Sequence, residues 1–498
     1  MKAVTAAEIK EIDKRAEEEY KIPGALLMGF AGRAASDIIL KTFPNADDIA
    51  VCAGTGNNGG DGFAAAYFLQ MAGRAVKIFL CGEAEKITAS ASVYYNICRA
   101  AGIEIIAESA APGLSGFNLI VDAVFGSGFK GPLREGAERI IHSINSSGVP
   151  AAALDMPSGL PSDGEAAHWP VVKASLTIAM GLPKISLVTW PGRGFCGALE
   201  IADIGFPQAL TSSDKIKTEL IDEEFMRSAA LSLKMPGGAD TNKSERGHLL
   251  LIGGFDGMEG AIMMSAAAAL ESGTGLLTLI STAGARRAIA GIIPELITIS
   301  AETGKIHETI HARRYDALLI GPGMGRSEYA AGIFKEAMDA FDTGTVLIDG
   351  DGLFHLPAYL ESAVLKSGVK YVLTPHFMEA SRIMKKSVDE IKENRLAAAK
   401  ECALKTGCIV LLKGPASIVT DGERAYINTS GNNLLAAAGS GDVLSGILGA
   451  LLLRKAAPAQ AACAACYFHG KAADALAQAG KRHLRATDII SALKEIIP

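Results

Sequence analysis

The chain has 498 residues, which corresponds to about three domains at roughly 150 residues each, or to fewer if the domains are large α/β units. Its 48 Lys and Arg against 54 Asp and Glu give a net charge of −6, and this mildly acidic balance argues against nucleic-acid binding through a basic surface. Hydrophobic residues make up 49% and charged residues 20%, which is enough apolar material for sizeable cores and too little charge for a disordered chain.

Membrane insertion and disulfide bonding both find little support in the sequence. Apolar runs fall short of the roughly 18 residues that a membrane-spanning helix needs, and the first twenty residues are charged throughout. The eight cysteines are scattered and lie mostly in apolar runs, which favours reduced thiols. We therefore expect a cytoplasmic protein that contacts neither membrane nor nucleic acid, and that acts on small molecules as a homo-oligomer.

The first half of the chain alternates between helical and strand-like patterns. Residues 7–40 have helical periodicity, broken into two helices at Pro23-Gly24. Short apolar runs, which predict strands, then alternate with helical stretches. The predicted strands are 48–53, 76–80, 119–124 and 150–154. Such alternation predicts right-handed βαβ units and a parallel sheet.

The alternation is interrupted once and then resumes. Residues from about 205 to 243 lack the rhythm, so we predict a first domain over 1–212, a junction over 213–242 and a second domain over 243–498. From His248 onward, apolar runs such as HLLLIGG, YDALLIG and CIVLLKG again predict strands. The last 70 residues are dominated by Ala-rich helices. The fold class is therefore α/β in both halves.

The sharpest motif of the first half is GTGNNGGDG, which follows a predicted strand and opens a helix predicted over residues 62–72. Gly54, Gly56 and Gly59 match the G-x-G-x-x-G pattern, in which small residues let the backbone approach a pyrophosphate at a helix N-terminus. A tight turn without a ligand is the alternative. Asn57, Asn58 and Asp61 would be unnecessary in a plain phosphate loop, and they indicate a cation or a polar ligand.

Two further loops follow predicted strands and carry an aspartate each. Asp122 precedes FGSGFKGP, and Asp155 precedes MPSG. Because ligands bind beyond the carboxyl ends of strands in open α/β sheets, the three polar clusters should converge on one crevice. Either carboxylate could cap a helix, or could act as a general acid and base if burial raises its pKa. For Asp122 we favour the catalytic interpretation.

These three motifs, in this order, resemble the NAD(P)H-hydrate epimerase family over about residues 1–210. The resemblance implies a Rossmann-like three-layer domain that binds K⁺ through Asn58, Asp122 and Ser158, and that interconverts the R and S forms of hydrated NADH and NADPH. It also implies a set of contacts to the hydrated dinucleotide: Asn57, Asn58, Gly59, Gly60, Asp61, Gly126, Ser127, Gly128, Phe129, Lys130, Gly131, Pro132 and Asp155. One departure is Gly29-Phe30, where the family usually has Glu-Asn.

The key motif of the second half is AAAGSGDVLSG. Gly439, Ser440 and Gly441 would leave backbone N–H groups free at a helix N-terminus, which makes an anion hole for a phosphoryl group. Asp442 is placed in the first turn to take a proton from a substrate hydroxyl, or else to interact with the helix dipole. The flanking glycines favour the catalytic role.

Other polar loops of the second half also follow predicted strands. They suit nucleotide-phosphate binding, charge next to a metal ion and substrate contact. They are Lys413 to Ser417, Gly321 to Gly325, Asp349 with Asp351, and His376 with Glu379. His376 could be an ordinary loop histidine, but its place after a strand and ahead of Glu379 favours a site.

As a set, these motifs resemble the ADP-dependent NAD(P)H-hydrate dehydratase family, a ribokinase-like α/β fold, from about Lys243 to the end. The resemblance implies ADP and Mg²⁺, with ADP as co-substrate. It assigns Ala261, Gly323, His376 and Asp442 to the hydrated dinucleotide. It assigns the AMP part of the nucleotide to Lys413, Gly414, Pro415, Ala416, Ser417 and Gly441. One departure is Asn433-Leu434, where the family commonly has Pro-Gly.

Three other functions remain open at this point. The chain could be a ribokinase-like kinase for a vitamin precursor, with a nucleotide-binding accessory domain. The first domain could instead be a ligand-sensing module without catalysis. A conventional dehydrogenase is less favoured, because the acidic residue expected beyond the glycine loop has only a loose counterpart in Glu83. Cys463, Cys466 and His469 could bind metal, but their Ala-rich helical surroundings argue against it.

Overall fold

The computed structural model describes residues 1–107, 113–235, 242–454 and 456–497. The chain divides into two units. One comprises residues 2–218 with 392–395, and the other comprises Met1, residues 219–391 and the residues from 396 onward. In the part of the chain that the structure describes, none of the helices combines the length and apolarity that crossing a membrane requires.

The first unit alternates strands with helices, as its sequence predicts. Its elements are β1 (Lys2–Ala3), α1 (Ala6–Glu18), α2 (Gly24–Thr42), β2 (Asp48–Ala53), α3 (Asn57–Met71), β3 (Ala75–Leu80), α4 (Ala89–Ala100), β4 (Glu104–Ala107), β5 (Leu119–Ala123), α5 (Glu135–Ser146), β6 (Ala151–Leu154), β7 (Leu176–Met180), α6 (Ile185–Val188), β8 (Ala198–Ala202) and α7 (Gln208–Thr211). Among the described residues, β2 to β8 form a parallel sheet in the order β4-β3-β2-β5-β6-β7-β8.

Helices cover both faces of this sheet. Ile49 and Val51 of β2 pack with residues of α2, α3 and α4, whereas Ala50 and Cys52 of the same strand pack with Ile141 and its neighbours on α5. Because successive side chains of a strand point to opposite faces, a strand buried on both faces is apolar at every position. The apolar runs that predicted these strands have this cause, and the three-layer Rossmann-like fold is confirmed.

The strand order of this sheet reverses between β2 and β5, which makes their carboxyl ends the switch point where ligands bind in such folds. The loop after β2 is short, because α3 begins at Asn57. The sequence predicted this helix only from Gly62, so residues 57–61 form its first turn instead of a loop. Their backbone N–H groups therefore belong to a helix N-terminus, which favours negative charge.

The second unit is also an α/β structure. Its elements are β9 (Thr218–Ile221), α8 (Glu223–Leu233), β10 (His248–Ile252), α9 (Glu259–Glu271), β11 (Leu276–Ser281), α10 (Ala283–Ala290), β12 (Ile297–Ser300), α11 (Ile306–His311), β13 (Ala317–Ile320), α12 (Glu328–Ala340), β14 (Gly344–Ile348), α13 (Asp351–Ser362), β15 (Val369–Leu373), α14 (Phe377–Met384), α15 (Val388–Glu393), α16 (Arg395–Thr406), β16 (Ile409–Leu412), β17 (Ile418–Thr420), β18 (Ala425–Asn428), α17 (Ser440–Leu451), α18 (Pro458–Gln478) and α19 (Ala486–Ile496). The interval 213–242, predicted as a junction because it lacks the alternating rhythm, contains β9 and α8. Residues 236–241 of that interval lie outside the described residues.

The sheet of the second unit runs β9-β18-β17-β16-β15-β14-β13-β10-β11-β12 over the described residues. The strands from β16 to β12 in this order are parallel. β17 is antiparallel to β16, and β18 is antiparallel to β17. Helices α9 and α17 can approach closely because Gly446 has no Cβ. A Cβ at that position would lie 2.2 Å from the Ser265 carbonyl oxygen. This crossing fixes the N-terminus of α17 next to the carboxyl ends of the parallel strands.

Candidate active sites

The glycines of the first motif allow a close backbone turn at the switch point. A Cβ on Gly59 would overlap the Gly54 carbonyl oxygen, and a Cβ on Gly54 would overlap the Val124 carbonyl oxygen. Gly56, by contrast, has no atom within 4 Å of a Cβ position. The turn therefore depends on Gly54 and Gly59, and it brings α3 against the loop that follows β5.

Asp122 is fully buried at the end of β5 and is held by the loop after β6. Its carboxylate accepts hydrogen bonds from the Ser158 backbone N–H at 2.8 Å and from the Ser158 hydroxyl at 2.6 Å. Burial raises the pKa of Asp122 to about 6, and the Ser158 hydrogen bonds oppose that rise. The carboxyl group can therefore exchange a proton near neutral pH.

Asp155 lies beside Asn58 and Gly126. A Cβ built on Gly126 would lie 2.8 Å from the Asp155 Oδ2 atom and 3.1 Å from the Asn58 Cγ atom. Asp155 has a φ of +63°, a strained value for a residue with a side chain and a common feature of functional sites. The three polar loops predicted from the sequence therefore meet in one crevice.

Lys184 holds the Asp155 carboxylate in its ionised form. The fully buried Lys184 ammonium forms an ion pair with Asp155 Oδ1 and donates to the Met180 and Leu182 carbonyl oxygens at 3.1 Å. The Ser127 backbone N–H donates to Asp155 Oδ2 at 2.8 Å. The Lys184 charge and these hydrogen bonds outweigh desolvation, so the pKa of Asp155 is lowered. Sequence analysis missed Lys184, which has no motif around it.

The pKa of Asp61 is shifted in the opposite direction from that of Asp155. Burial, together with the nearby charges of Asp155 and Asp13, raises the pKa of Asp61 well above its ordinary value, and Lys184 opposes this only in part. The crevice thus contains one carboxyl group with a raised pKa and one with a lowered pKa, which is the pattern of acid and base pairs in enzymes. Asp13, on α1, was also missed by the sequence analysis.

The remaining predicted residues of the loop after β5 lie at the rim of the crevice, whereas Gly60 is buried against Met28 of α2 and Ala91 of α4. Gly128, Lys130, Gly131 and Pro132 are exposed, and Gly131 packs against the indole of Trp169. Phe129 meets Trp169 edge-on, with ring centroids 5.9 Å apart. The loop therefore presents an aromatic surface beside the carboxylates.

The Asn58 side chain is buried, and its amide oxygen and nitrogen both lack a hydrogen-bond partner. Such groups cost free energy unless a ligand or ion satisfies them. With the Ser158 hydroxyl and the Asp122 carboxylate nearby, the oxygen atoms fit a K⁺ ion. This set of donors would hold the cation by oxygen ligands alone, which is the preference of hard cations.

In the second unit, α17 begins beside Gly439, where the sequence predicted an anion hole. Of the N–H groups predicted to be free there, that of Ser440 instead donates to the Ala437 carbonyl oxygen at 3.2 Å. Gly439 has a φ of +83°, and α17 begins at the next residue. Asp442 lies in the first turn, and Ser265 of α9 donates to its backbone carbonyl oxygen at 2.9 Å. Burial and the Asp349 charge raise the pKa of Asp442 to about 6, although Lys413 opposes the rise.

A buried ion pair lies beside this helix N-terminus. The Lys413 ammonium is 2.6 Å from Asp349 Oδ1 and 3.9 Å from Glu379 Oε2. The Ser445 hydroxyl donates to Asp349 Oδ2 at 2.6 Å. Desolvation and the neighbouring carboxylates raise the pKa of Glu379, whereas the Lys413 charge lowers that of Asp349. Ser445 was not singled out from the sequence.

His376 caps α14 and is half exposed. Its Nδ1 atom accepts hydrogen bonds from the backbone N–H groups of Met378 and Glu379, so Nδ1 carries no proton in this arrangement. Burial and the Lys413 charge lower the pKa of His376. The capping role explains its position, and its Nε2 atom lies 3.4 Å from the Glu379 Oε1 atom.

The GPGMG loop after β13 closes on its neighbours through glycines. Gly323 has a φ of +61°, and a Cβ there would lie 3.1 Å from the Ala261 Cβ atom, so these two predicted contacts are adjacent. Asp351 accepts from the Gly325 N–H and the Arg326 Nε–H, both at 2.9 Å. Asp351 therefore shapes the loop.

The segment Lys413 to Ser417 forms a tight turn after β16. Ala416 has a φ of +51°, and the Ser417 hydroxyl donates to the Gly414 carbonyl oxygen at 2.9 Å. The Lys413 ammonium lies 3.6 Å from a Cβ position built on Gly441. The structure thus brings Lys413, Gly441 and Asp442 together with Asp349 and Glu379.

A metal site built only from His, Cys, Asp and Glu side chains finds no support among the described residues. No group of three or more His, Cys, Asp and Glu side chains there could hold an ion. His469 shares a hydrogen bond of 3.1 Å with the Ser440 hydroxyl, and Cys466 donates to the Cys463 carbonyl oxygen, so this trio serves helix packing. The carboxylate oxygens of Asp349 and Asp351 already accept hydrogen bonds from other groups of the protein. A Mg²⁺ ion would therefore fit this site together with nucleotide phosphates that supply oxygen ligands.

Sequence comparison identifies two families along the chain. Residues 24–186 match the model described as YjeF-related protein N-terminus, and residues 249–495 match NAD(P)H-hydrate dehydratase. The bifunctional NAD(P)H-hydrate repair enzyme of Moorella thermoacetica is 34% identical over 100% of this chain and 97% of that protein. This chain belongs to the family of bifunctional NAD(P)H-hydrate repair enzymes. The Escherichia coli member is 32% identical over 99% of this chain and 93% of its own length.

Solved structures agree for the second unit of this repair-enzyme chain. An ADP/ATP-dependent NAD(P)H-hydrate dehydratase from Bacillus subtilis, co-crystallised with ATP and Mg²⁺, is 25% identical, with a TM-score of 0.50 over 56% of this chain and 97% of that one. A ribokinase-like superfamily protein from Enterococcus faecalis is 26% identical, with the same TM-score over 56% of this chain and 95% of that one. The predicted ribokinase-like fold is confirmed.

The two departures from the family pattern have local structural explanations. The Tyr94 hydroxyl occupies the space where a side chain at Gly29 would begin, so the wall of α2 is filled from α4. At the second departure, Asn432 accepts from the Leu434 N–H at 3.0 Å and donates to Asp474 at 2.9 Å. These bonds fix the backbone at the position where the family commonly has Pro-Gly.

Proposed function

We propose that this protein repairs hydrated NADH and NADPH in two steps. The first unit interconverts the R and S hydrates, and the second unit dehydrates the S form with ADP, giving NAD(P)H, AMP and phosphate. The observation that carries the proposal is the pair of strand-end crevices in a chain of this family, each with a buried carboxyl group whose pKa is about 6. We propose that it works as a cytoplasmic homo-oligomer.

For epimerisation, we assign the acid and base role to Asp122. The hydrate carries its hydroxyl on a ring carbon next to nitrogen. A proton from the carboxyl group lets that hydroxyl leave as water, with the electron pair of the ring nitrogen assisting. Water then returns to the opposite face and gives a proton back to the carboxylate, so no proton is gained or lost overall.

The surrounding residues would bind the hydrate and the cation. Residues 57–61, residues 126–132 and Asp155 would hold the dinucleotide. The oxygen atoms of Asn58, Asp122 and Ser158 would hold K⁺, which supplies positive charge beside the carboxylates when it is bound.

For dehydration, the hydroxyl oxygen of the hydrate attacks the terminal phosphorus of ADP, and Asp442 takes the proton from that hydroxyl. The bond from that phosphorus to the bridging oxygen breaks, and AMP leaves with the electron pair. The ring nitrogen then expels phosphate from the carbon. Loss of a proton from the adjacent ring carbon restores the double bond of the dihydronicotinamide.

The predicted contacts divide between the two substrates of this reaction. Ala261, Gly323, His376 and Asp442 would contact the hydrate. Lys413, Gly414, Pro415, Ala416, Ser417 and Gly441 would contact the AMP part of ADP. Mg²⁺ would enter with the nucleotide and neutralise its phosphates.

The test uses purified protein with mixed R and S NADH hydrate, KCl, MgCl₂ and either ADP or ATP. Regenerated NADH is followed by its near-ultraviolet absorbance, with Asp442→Asn as control. Recovery of both epimers with one nucleotide, lost in the variant, is the expected result. Recovery that stops at the S epimer would remove the epimerase activity from the proposal. A phosphorylated product that persists without elimination would support a small-molecule kinase instead.

A further inference from the structure

Three elements of the second unit converge on the Asp349 carboxylate. Asp349 follows β14 and is 2% exposed. Its Oδ1 atom faces the Lys413 ammonium from the end of β16, and its Oδ2 atom accepts from Ser445 in the second turn of α17, each at 2.6 Å. A buried ion pair with this many fixed partners costs desolvation energy and is weak evidence for stability alone. Its position next to the site therefore calls for a functional explanation.

The Lys413 side chain points toward the anion hole and away from its own loop. Its nitrogen lies 3.6 Å from a Cβ position built on Gly441, in the first turn of α17. An ammonium has three N–H donors, and among the described residues Asp349 Oδ1 is the acceptor within hydrogen-bond distance. The other two N–H donors of Lys413 have no hydrogen-bond acceptor among the described residues, and the side chain as a whole is 17% exposed.

We propose that the Lys413 ammonium binds the phosphoryl group during its transfer, and that Asp349 and Ser445 are positioning residues that hold the ammonium in place. This inference rests on the proposed dehydratase function and deepens it. It separates Lys413 from the AMP contacts, because its side chain serves the reacting group while Gly414 to Ser417 remain beside the nucleotide.

The physical reason lies in where charge develops. As the bond from the terminal phosphorus of ADP to the bridging oxygen breaks, negative charge accumulates on that oxygen and on the transferred phosphoryl group. A fixed ammonium in a partly dry site stabilises that charge more than the charge of the ground state, and it needs no reorganisation during the reaction. The hydroxyl proton still goes to Asp442, so Lys413 retains its own protons throughout.

The experiment compares Lys413→Met, Asp349→Asn and the double variant in the full-length protein. Two quantities are measured: kcat for dehydration of S hydrate with ADP, and the equilibrium Kd for AMP. Wild-type turnover is established first, because its absence would count against the proposed function and not against this inference. Circular dichroism and thermal unfolding of the same samples report whether the second unit is folded, because epimerase activity reports only on the first unit.

We expect Lys413→Met to lower kcat about 100- to 1000-fold, the usual effect of removing one transition-state donor, with Kd for AMP within threefold. Asp349→Asn should lower kcat less, and the double variant should be no slower than Lys413→Met, because Asp349 acts through Lys413. Additive losses in the double variant would assign Asp349 a separate structural role. Retained kcat with weakened AMP binding would overturn the inference.

A milder variant keeps the inference testable if the buried charges prove necessary for folding. Ser445→Ala removes one hydrogen bond to Asp349 and no charge. We expect it to lower kcat several-fold at unchanged Kd for AMP, while Lys413→Arg, which keeps the charge, should retain more activity than Lys413→Met. Equal activity of Ser445→Ala and wild type would contradict the positioning role.

Discussion

Ser158 donates both its backbone N–H and its hydroxyl to the Asp122 carboxylate, at 2.8 and 2.6 Å. The same hydroxyl oxygen accepts from the Phe125 N–H at 2.9 Å, so one side chain links the loops after β5 and β6. Both bonds to Asp122 stabilise its ionised form against burial. Ser158 therefore sets the pH range in which Asp122 exchanges protons.

Ser158→Ala should shift the pH profile of epimerisation upward. Loss of the hydroxyl removes one bond that lowers the pKa of Asp122, so that pKa should rise above about 6 and the rate should fall about tenfold. Exchange between R and S hydrates, measured from pH 5 to 9, reports the shift. Dehydration of S hydrate by the same sample is the control. A slower rate with an unmoved profile would contradict this role of Ser158.

Potassium should stabilise the first unit through Asn58. The unpartnered amide of Asn58 gains a ligand when K⁺ binds, so KCl should raise the melting temperature relative to tetramethylammonium chloride at equal ionic strength. Asn58→Ala should abolish this difference.

A matched control comes from Thr274, whose buried hydroxyl also lacks a partner but lies in the second unit. Thr274→Val should leave the K⁺ response intact, and should be neutral or stabilising because it removes an unsatisfied polar group. An unchanged K⁺ response in Asn58→Ala would remove Asn58 from the proposed cation site.

The sequence predicted the strands around each site more completely than the site chemistry. β2 was predicted with its observed bounds, because a strand buried on both faces is apolar at every position. β1, β4, β7, β8, β9, β12, β17 and β18 were not predicted, and most of them are short or lie toward sheet edges. Glycine loops after strands marked the switch points, since close backbone approach requires particular residues at fixed spacing.

Partners that act through space left no such signal. Lys184 lies 29 positions from Asp155, and Ser445 lies 96 positions from Asp349. A single lysine or serine in an apolar segment has no local pattern that indicates its partner. The start of α3 was misplaced for another reason: Asn57, Asn58 and two glycines have low helix propensity, and the turn of the glycine loop overrides it.

Because of Asp442, the kcat for dehydration should fall on the acid side of about pH 6. A general base must be deprotonated, so kcat should fall as pH drops through about 6, and Asp442→Asn should be inactive at every pH. A kcat independent of pH between 5 and 8 would contradict the assignment.

The same raised pKa makes a prediction about stability. The folded state favours protonated Asp442, so this contribution is fully present below pH 3.8 and is lost as pH rises through about 6. At pH 8, Asp442→Asn should therefore stabilise the second unit by about 1–2 kcal/mol, measured by denaturant unfolding. Equal or lower stability of the variant at pH 8 would show that ionised Asp442 is better solvated than its burial indicates.

Gly59 and Gly56 provide a matched pair within one motif. Gly59→Ala places a methyl group against the Gly54 carbonyl oxygen, so the turn must open and the crevice must widen. Gly56→Ala meets no atom within 4 Å and retains an ordinary φ of −87°. We expect epimerisation to fall at least 100-fold in Gly59→Ala and to stay within threefold of wild type in Gly56→Ala, while S-hydrate dehydration is unchanged in both. Equal losses in the two variants would mean that the motif is sensitive to any side chain, and not to the close approach at Gly59.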